Sequence, residues 1–154
     1  MPPIAHMPIT SKLVDSLYLE AITTADEARA YFNRNGATDR ARLDPVTRVA
    51  FSCEALKVTT RLMHVVAWLM VRKAVESGEM SEADAAAPER RLGRASDSDD
   101  PRRLALLPER SREIVERSRD LYERVSRLDA QLGGGTPDDG AGARALLDRL
   151  RSSL

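Results

Sequence analysis

The stretch from Asp44 to Gly78, DPVTRVAFSCEALKVTTRLMHVVAWLMVRKAVESG, carries the signals for both ends of one long helix. Asp44 offers an oxygen to the first free backbone N–H groups, and Pro45 suits the first helical position, where no N–H is needed. Gly78 can take the left-handed residue just past the end. At about 1.5 Å per residue the rod is roughly 48 Å long.

Two apolar rows run along it. Val49, Cys53, Leu56, Thr60, Met63, Ala67, Met70 and Ala74 form the first, and Phe51, Ala55, Val58, Leu62, Val65 and Leu69 form the second; both advance in steps of four and three. With Glu54 at zero and about 100° per residue, the rows centre near 210° and 65°. A surface helix needs one such stripe. Polar side chains gather on a third strip, Glu54, Lys57, Arg61, His64 and Arg72, so the helix has to be covered on two sides by its own chain, by another copy or by both.

Two further helices are predicted to supply cover. Thr10 or Ser11 caps a segment whose apolar face runs from Leu13 to Phe32 and which stops at Gly36. The short polar connection from Asn35 to Leu43 folds the long helix back antiparallel to it. After Pro108, residues Leu107, Ser111, Ile114, Ser118, Leu121, Val125, Leu128 and Leu132 again step four and three, with Val115 and Tyr122 widening the stripe. The rest of that helix is densely charged, as a solvated face would be.

The remaining segments are weaker signals. Residues 1–9 read as a loose arm with three prolines. Between Glu79 and Leu106, Ser81 and Asp84 stand at capping-box spacing. The segment as a whole is longer than the roughly 12–15 residues usual for a structureless connection, which makes it either disordered or a contact segment, with disorder the expectation. TPDDGAGA reads as a linker and ARALLDRLRSSL as a short amphipathic tail carrying Leu146, Leu147, Leu150 and Leu154. The domain reading is an arm over 1–9, a three-helix bundle over 10–132 with helices near 11–35, 45–77 and 108–132 and a loop over 79–106, and a linker with a short helix over 133–154. The fold class is all-α, an antiparallel three-helix bundle.

Material for catalysis is scarce. The 24 basic and 24 acidic residues cancel, which argues against general affinity for nucleic acid or anionic membrane. His6 and His64 have no second histidine or cysteine at ligand spacing on the same face. Cys53 sits on an apolar row, where an inert core thiol is the plain reading. Asp97, Asp99 and Asp100 lack the central glycine and closing glutamate of a calcium loop, and the glycines from Gly133 follow a helix instead of opening one. No catalytic residue, metal site or cofactor is expected. No apolar run is long enough to span a bilayer and no signal peptide is visible, so a cytoplasmic protein is expected. Trp68, near 320°, falls on the polar strip, either beneath the third helix or the long loop, or as an anchor at a binding surface.

SKLVDSLYLEAITTADEARAYF, RVAFSCEALKVTTRLMHVVAWLMVRKAVESGEMS and LPERSREIVERSRDLYERVSRLD resemble the family of the regulator of CtrA degradation (RcdA), an alphaproteobacterial adaptor protein. The resemblance covers most of 11–81 and 107–129, and is most specific in RLMHVVAWLMVRKAVESGE. It implies a three-helix bundle that forms a homodimer and serves the ClpXP protease. There the adaptor joins a ClpX unfoldase primed by a response regulator and recruits cell-cycle cargo or further adaptor proteins. The family has no catalytic motif, so no residue roles carry across. The alternatives are a dimeric helical scaffold without a protease role and, disfavoured by the charge balance, a DNA-associated regulator. If the first row of the long helix packs on the other two helices, then Phe51, Val58, Leu62, Val65 and Leu69, with Trp68, are the candidate dimer or partner interface. The reverse assignment of the two rows remains open at this level.

Overall fold

The structure is a computed structural model describing residues 9–95, 100–133 and 149–152. The described residues are helical, with turns and irregular connections between helices. Helices are α1 (Ser11–Ala30), α2 (Ala37–Ala41), α3 (Pro45–Glu76), α4 (Glu82–Ala85), α5 (Pro101–Leu104) and α6 (Glu109–Leu132), with a π-helical turn over Tyr31–Asn35 and a 3-10 turn over Pro88–Arg90.

The ends of the helices follow from local chemistry. Thr10 accepts a hydrogen bond from the Leu13 N–H and Asp44 one from the Thr47 N–H at 2.9 Å. The bonds from the Thr47 backbone and hydroxyl hold the Asp44 carboxyl below its ordinary range. Gly78, at φ 79°, takes the left-handed position past α3. Ser81 caps α4, accepting from the Asp84 N–H at 3.0 Å. The corner after α1 is tighter than a plain loop. A Cβ on Gly36 would stand 2.7 Å from the Tyr31 carbonyl and 3.1 Å from its ring, so only glycine fits beneath that ring. Burial, then the hydrogen bond to Asp39, raises the Tyr31 phenol well above its ordinary pKa, so it remains a donor.

The three long helices pack pairwise around one core. Lys73 meets Asp15 at 2.8 Å and the Ser11 hydroxyl donates to Glu76, so α1 and α3 run antiparallel, as the short connection requires. The expected antiparallel arrangement does not extend to α6. Arg61 donates to Ser118 and Trp68 to Asp129, pairing early with early and late with late, so α3 and α6 run parallel. Glu27 with Arg110 and Arg117, and Glu20 with Arg124, make α6 antiparallel to α1. The physical reason is the connection after α3, which is long enough to travel back along the bundle before α6 begins.

That connection also corrects the expectation of disorder. Among its described residues, 79–95 lie over α3 and α6: Arg72 pairs with Glu82 at 3.0 Å, Arg91 with Asp129 at 2.7 Å, and the Tyr122 hydroxyl donates to the Gly93 carbonyl at 2.6 Å. Further on, Leu107 enters the core. The expected arm over 1–9, apart from Ile9, and the linker lie outside the described residues, as do Asp97 and Asp99.

With the connection in place, the two rows of α3 exchange roles. Phe51, Val58, Leu62, Val65 and Leu69 are core residues, no more than 3% exposed, so the candidate interface row is interior. The buried face continues into the polar strip, where Glu54 is 1% exposed and Arg61, Trp68 and Arg72 are also buried. Each has a partner: Lys57 for Glu54, Ser118 for Arg61, Asp129 for Trp68 and Glu82 for Arg72. Trp68 is thus covered by the long connection and α6, not displayed as an anchor.

Neighbouring residues on α3 should separate the two faces. Leu69→Ala should cost about 3 kcal/mol in urea unfolding, the usual scale for a buried leucine. In dilute protein Met70→Ala should stay within about 0.5 kcal/mol. Equal losses at the two positions would contradict the assigned faces.

Candidate interaction surface

The row expected to be core is the one left in solvent. Val49 is 63% exposed, Leu56 69%, Met63 66% and Met70 57%, with Cys53, Thr60 and Ala67 exposed between them. Large apolar side chains in single file at helical spacing make a continuous ridge, which is the kind of exposure that marks an interaction site.

Beside the ridge lies a groove between α1 and α3 of about 910 Å³. Small residues, Ala25 and Ala28 from α1 and Ala55 and Ala67 from α3, let a partner backbone come close, while Phe32, Leu56, Met63 and Met70 supply apolar bulk. The corner after α1 contributes Phe32, Asn33 and Arg40 to the lining. There the Phe32 ring meets Phe51 edge-on at 5.3 Å and Tyr31 at 5.2 Å, so the aromatic wall is anchored in the core. Asp26, Arg29 and Arg40 also line the groove, and Arg29 is tied to Asp26 at 3.0 Å. Methionines at 63 and 70 give the surface an adaptable lining.

Other sites suggested by residue type do not assemble. His64 lies under Gly93, whose added Cβ would stand 2.2 Å from the imidazole Nδ1. His6 lies outside the described residues. No cluster of metal-ligating side chains occurs among the described residues, and none of their helices is long and apolar enough to cross a membrane. Asp100 caps α5 by accepting from the Arg102 N–H. Cys53, expected in the core, is exposed on the ridge.

A protein-family profile described as "Protein of unknown function (DUF1465)" matches residues 5–154. The chain belongs to this family. The fold also matches the crystal structure of RcdA from Caulobacter crescentus CB15, with a TM-score of 0.67 and 30% sequence identity over 83% of this chain and 97% of that one. This family member is therefore an RcdA-like protein, in agreement with the resemblance carried by its three helical segments. No curated protein matches the chain. The site residues that sequence reasoning missed, Val49, Leu56, Met63 and Met70, had a signal: the long helix carries two apolar rows where a surface helix needs one.

Cys53 is the sole cysteine and reports directly on this surface. In dilute native protein it should be fully modified by an aromatic disulfide reagent without denaturant. Modification only after unfolding would place the ridge inside the molecule.

Proposed function

We propose that this chain is a non-enzymatic, cytoplasmic adaptor that helps deliver cell-cycle regulatory proteins to the ClpXP protease. Its partners are a second copy of itself, a ClpX unfoldase primed by a response regulator, and cargo or further adaptors. The observation that carries the reading is the match to RcdA, which extends over nearly all of that protein. The surface supports it chemically: the chain displays an apolar ridge and groove suited to holding other proteins.

The dimer contact in this reading is the Val49 to Met70 ridge, in place of the interior Phe51 to Leu69 row. A two-fold contact brings both ridges together, so eight large side chains leave water. At about 1.5–3 kcal/mol for each fully buried side chain, and with roughly two-thirds of that still to be gained, the gross stabilisation is on the order of 10 kcal/mol. Association itself costs about 4–15 kcal/mol. The balance favours a weak dimer, one that a third protein can open.

Two experiments test this. Met63→Asp should give a folded monomer at concentrations where the parent protein sediments as a dimer; a dimer unaffected by the substitution removes the ridge from the contact. In a reconstituted reaction with ClpX, its peptidase ClpP, the primed regulator and candidate cargo, adding the chain should accelerate degradation of at least one cargo. Unchanged degradation of every cargo would sink the adaptor reading, and a dimer surviving that result would favour a scaffold.

A further inference from the structure

A second surface is hidden beneath residues 79–95. This segment is seated on the bundle by polar side chains. Glu82 takes both Arg72 guanidinium nitrogens at 3.0 and 3.4 Å, yet its own side chain is 69% exposed. Arg91 gives three hydrogen bonds to Asp129, two to the carboxylate and one to the carbonyl, and Trp68 donates to the same carboxylate at 2.9 Å. The segment's own backbone bonds close locally: Ala85 on Ser81, Ala86 on Glu82, and Arg90 on Ala87.

The fit is close at one point and loose at another. Gly93 lies so near the His64 ring that no Cβ is accommodated, and its carbonyl receives the Tyr122 hydroxyl. Beside Trp68, a cavity of about 250 Å³ separates the segment from α3 and α6. Ala85 is its only fully buried apolar side chain, with Leu92 packing partly on the core. A permanent cover is better made from apolar contacts, since ion pairs with a solvent-exposed partner add little net stability. This one is incompletely packed and held by groups that separate without disrupting a backbone ladder.

We propose that residues 79–95 form a releasable strap over a peptide-docking strip made of Arg72, Trp68 and Asp129. In the free chain the strap occupies the strip as an internal pseudo-ligand. The occupant that replaces it is a protein segment of the same chemistry, a short helical turn with a glutamate for Arg72 and, nine residues on, an arginine for Asp129. The strip stands apart from the ridge on α3, so one copy can engage a peptide there while holding a second copy through the ridge.

The test uses the full chain. Arg91→Ala removes three of the strap's bonds, which should raise trypsin cleavage at Arg90 and Arg94 by a factor of about ten to a hundred, as expected for one lost charge-assisted contact when opening is fast. Trp68, the sole tryptophan, should shift its emission to the red while the helical circular dichroism is retained. A labelled peptide of residues 79–95 should then bind Arg91→Ala in trans and return the emission toward the blue, and should bind the parent chain at least about tenfold more weakly, since only its open fraction is competent. Unchanged Trp68 emission and cleavage would show that the strap does not release. Release without peptide binding would overturn the docking strip. If Arg91→Ala loses its helices, Gly93→Ala opens the strap without removing an ion pair; loss of helices there too would make the segment part of the core and overturn the proposal. Sedimentation of the same variants reads the dimer independently, so failure of the strap and failure of the ridge are distinguishable.

Discussion

The Asp129 carboxylate is the contact through which the polar strip of α3 is held against the rest of the chain. It receives the Trp68 indole from α3 and the Arg91 guanidinium from the return segment, fastening three parts of the chain at one point. Burying Trp68, Arg72 and Arg61 without such partners would be costly, because each carries hydrogen-bonding groups that water would otherwise satisfy. With the partners supplied, the polar strip of α3 can turn inward beside the Phe51 to Leu69 row. The opposite row is then left in solvent, and that exposed row is what makes the chain a candidate for binding other proteins.

Elements whose causes are local were legible in the sequence. Asp44, Pro45 and Gly78 mark α3, Thr10 starts α1, and the four-and-three stripe of α6 is buried from Leu107 to Leu128. The inward row of α3 was not decided by periodicity. Both rows have the same spacing and similar apolar content, so the choice fell to the strip between them. That strip is charged, and what turns it inward is not local: Arg61 and Trp68 find their partners on α6 at Ser118 and Asp129, and Arg72 finds Glu82 beyond the end of the helix. Pairs separated by more than fifty residues leave no periodic trace, as the Arg61 and Ser118 pair illustrates.

The direction of α6 has a similar explanation. A short loop forces neighbouring helices to be antiparallel, whereas a long one leaves the direction free. The connection beyond Ser77 uses that freedom to run back, and so brings α6 parallel to α3. Its capping box at Ser81 and Asp84 was visible, but a single turn of helix says nothing about what it lies against. The arginine pairs from α6 to Glu20 and Glu27 were equally hidden, because a partner on another helix leaves no spacing of its own. The family profile spans residues 5–154, and the likeness to RcdA agrees with the resemblance read in the three long segments.

The central claim is that α3 presents the Val49 to Met70 row outward because its polar strip is turned in. Methyl relaxation by a soluble paramagnetic probe, measured on dilute protein, tests it most directly. The account predicts strong enhancement at the Met63 and Met70 methyls, with Leu62 and Leu69 protected. Strong enhancement at Leu62 and Leu69, with Met63 and Met70 shielded, would contradict it.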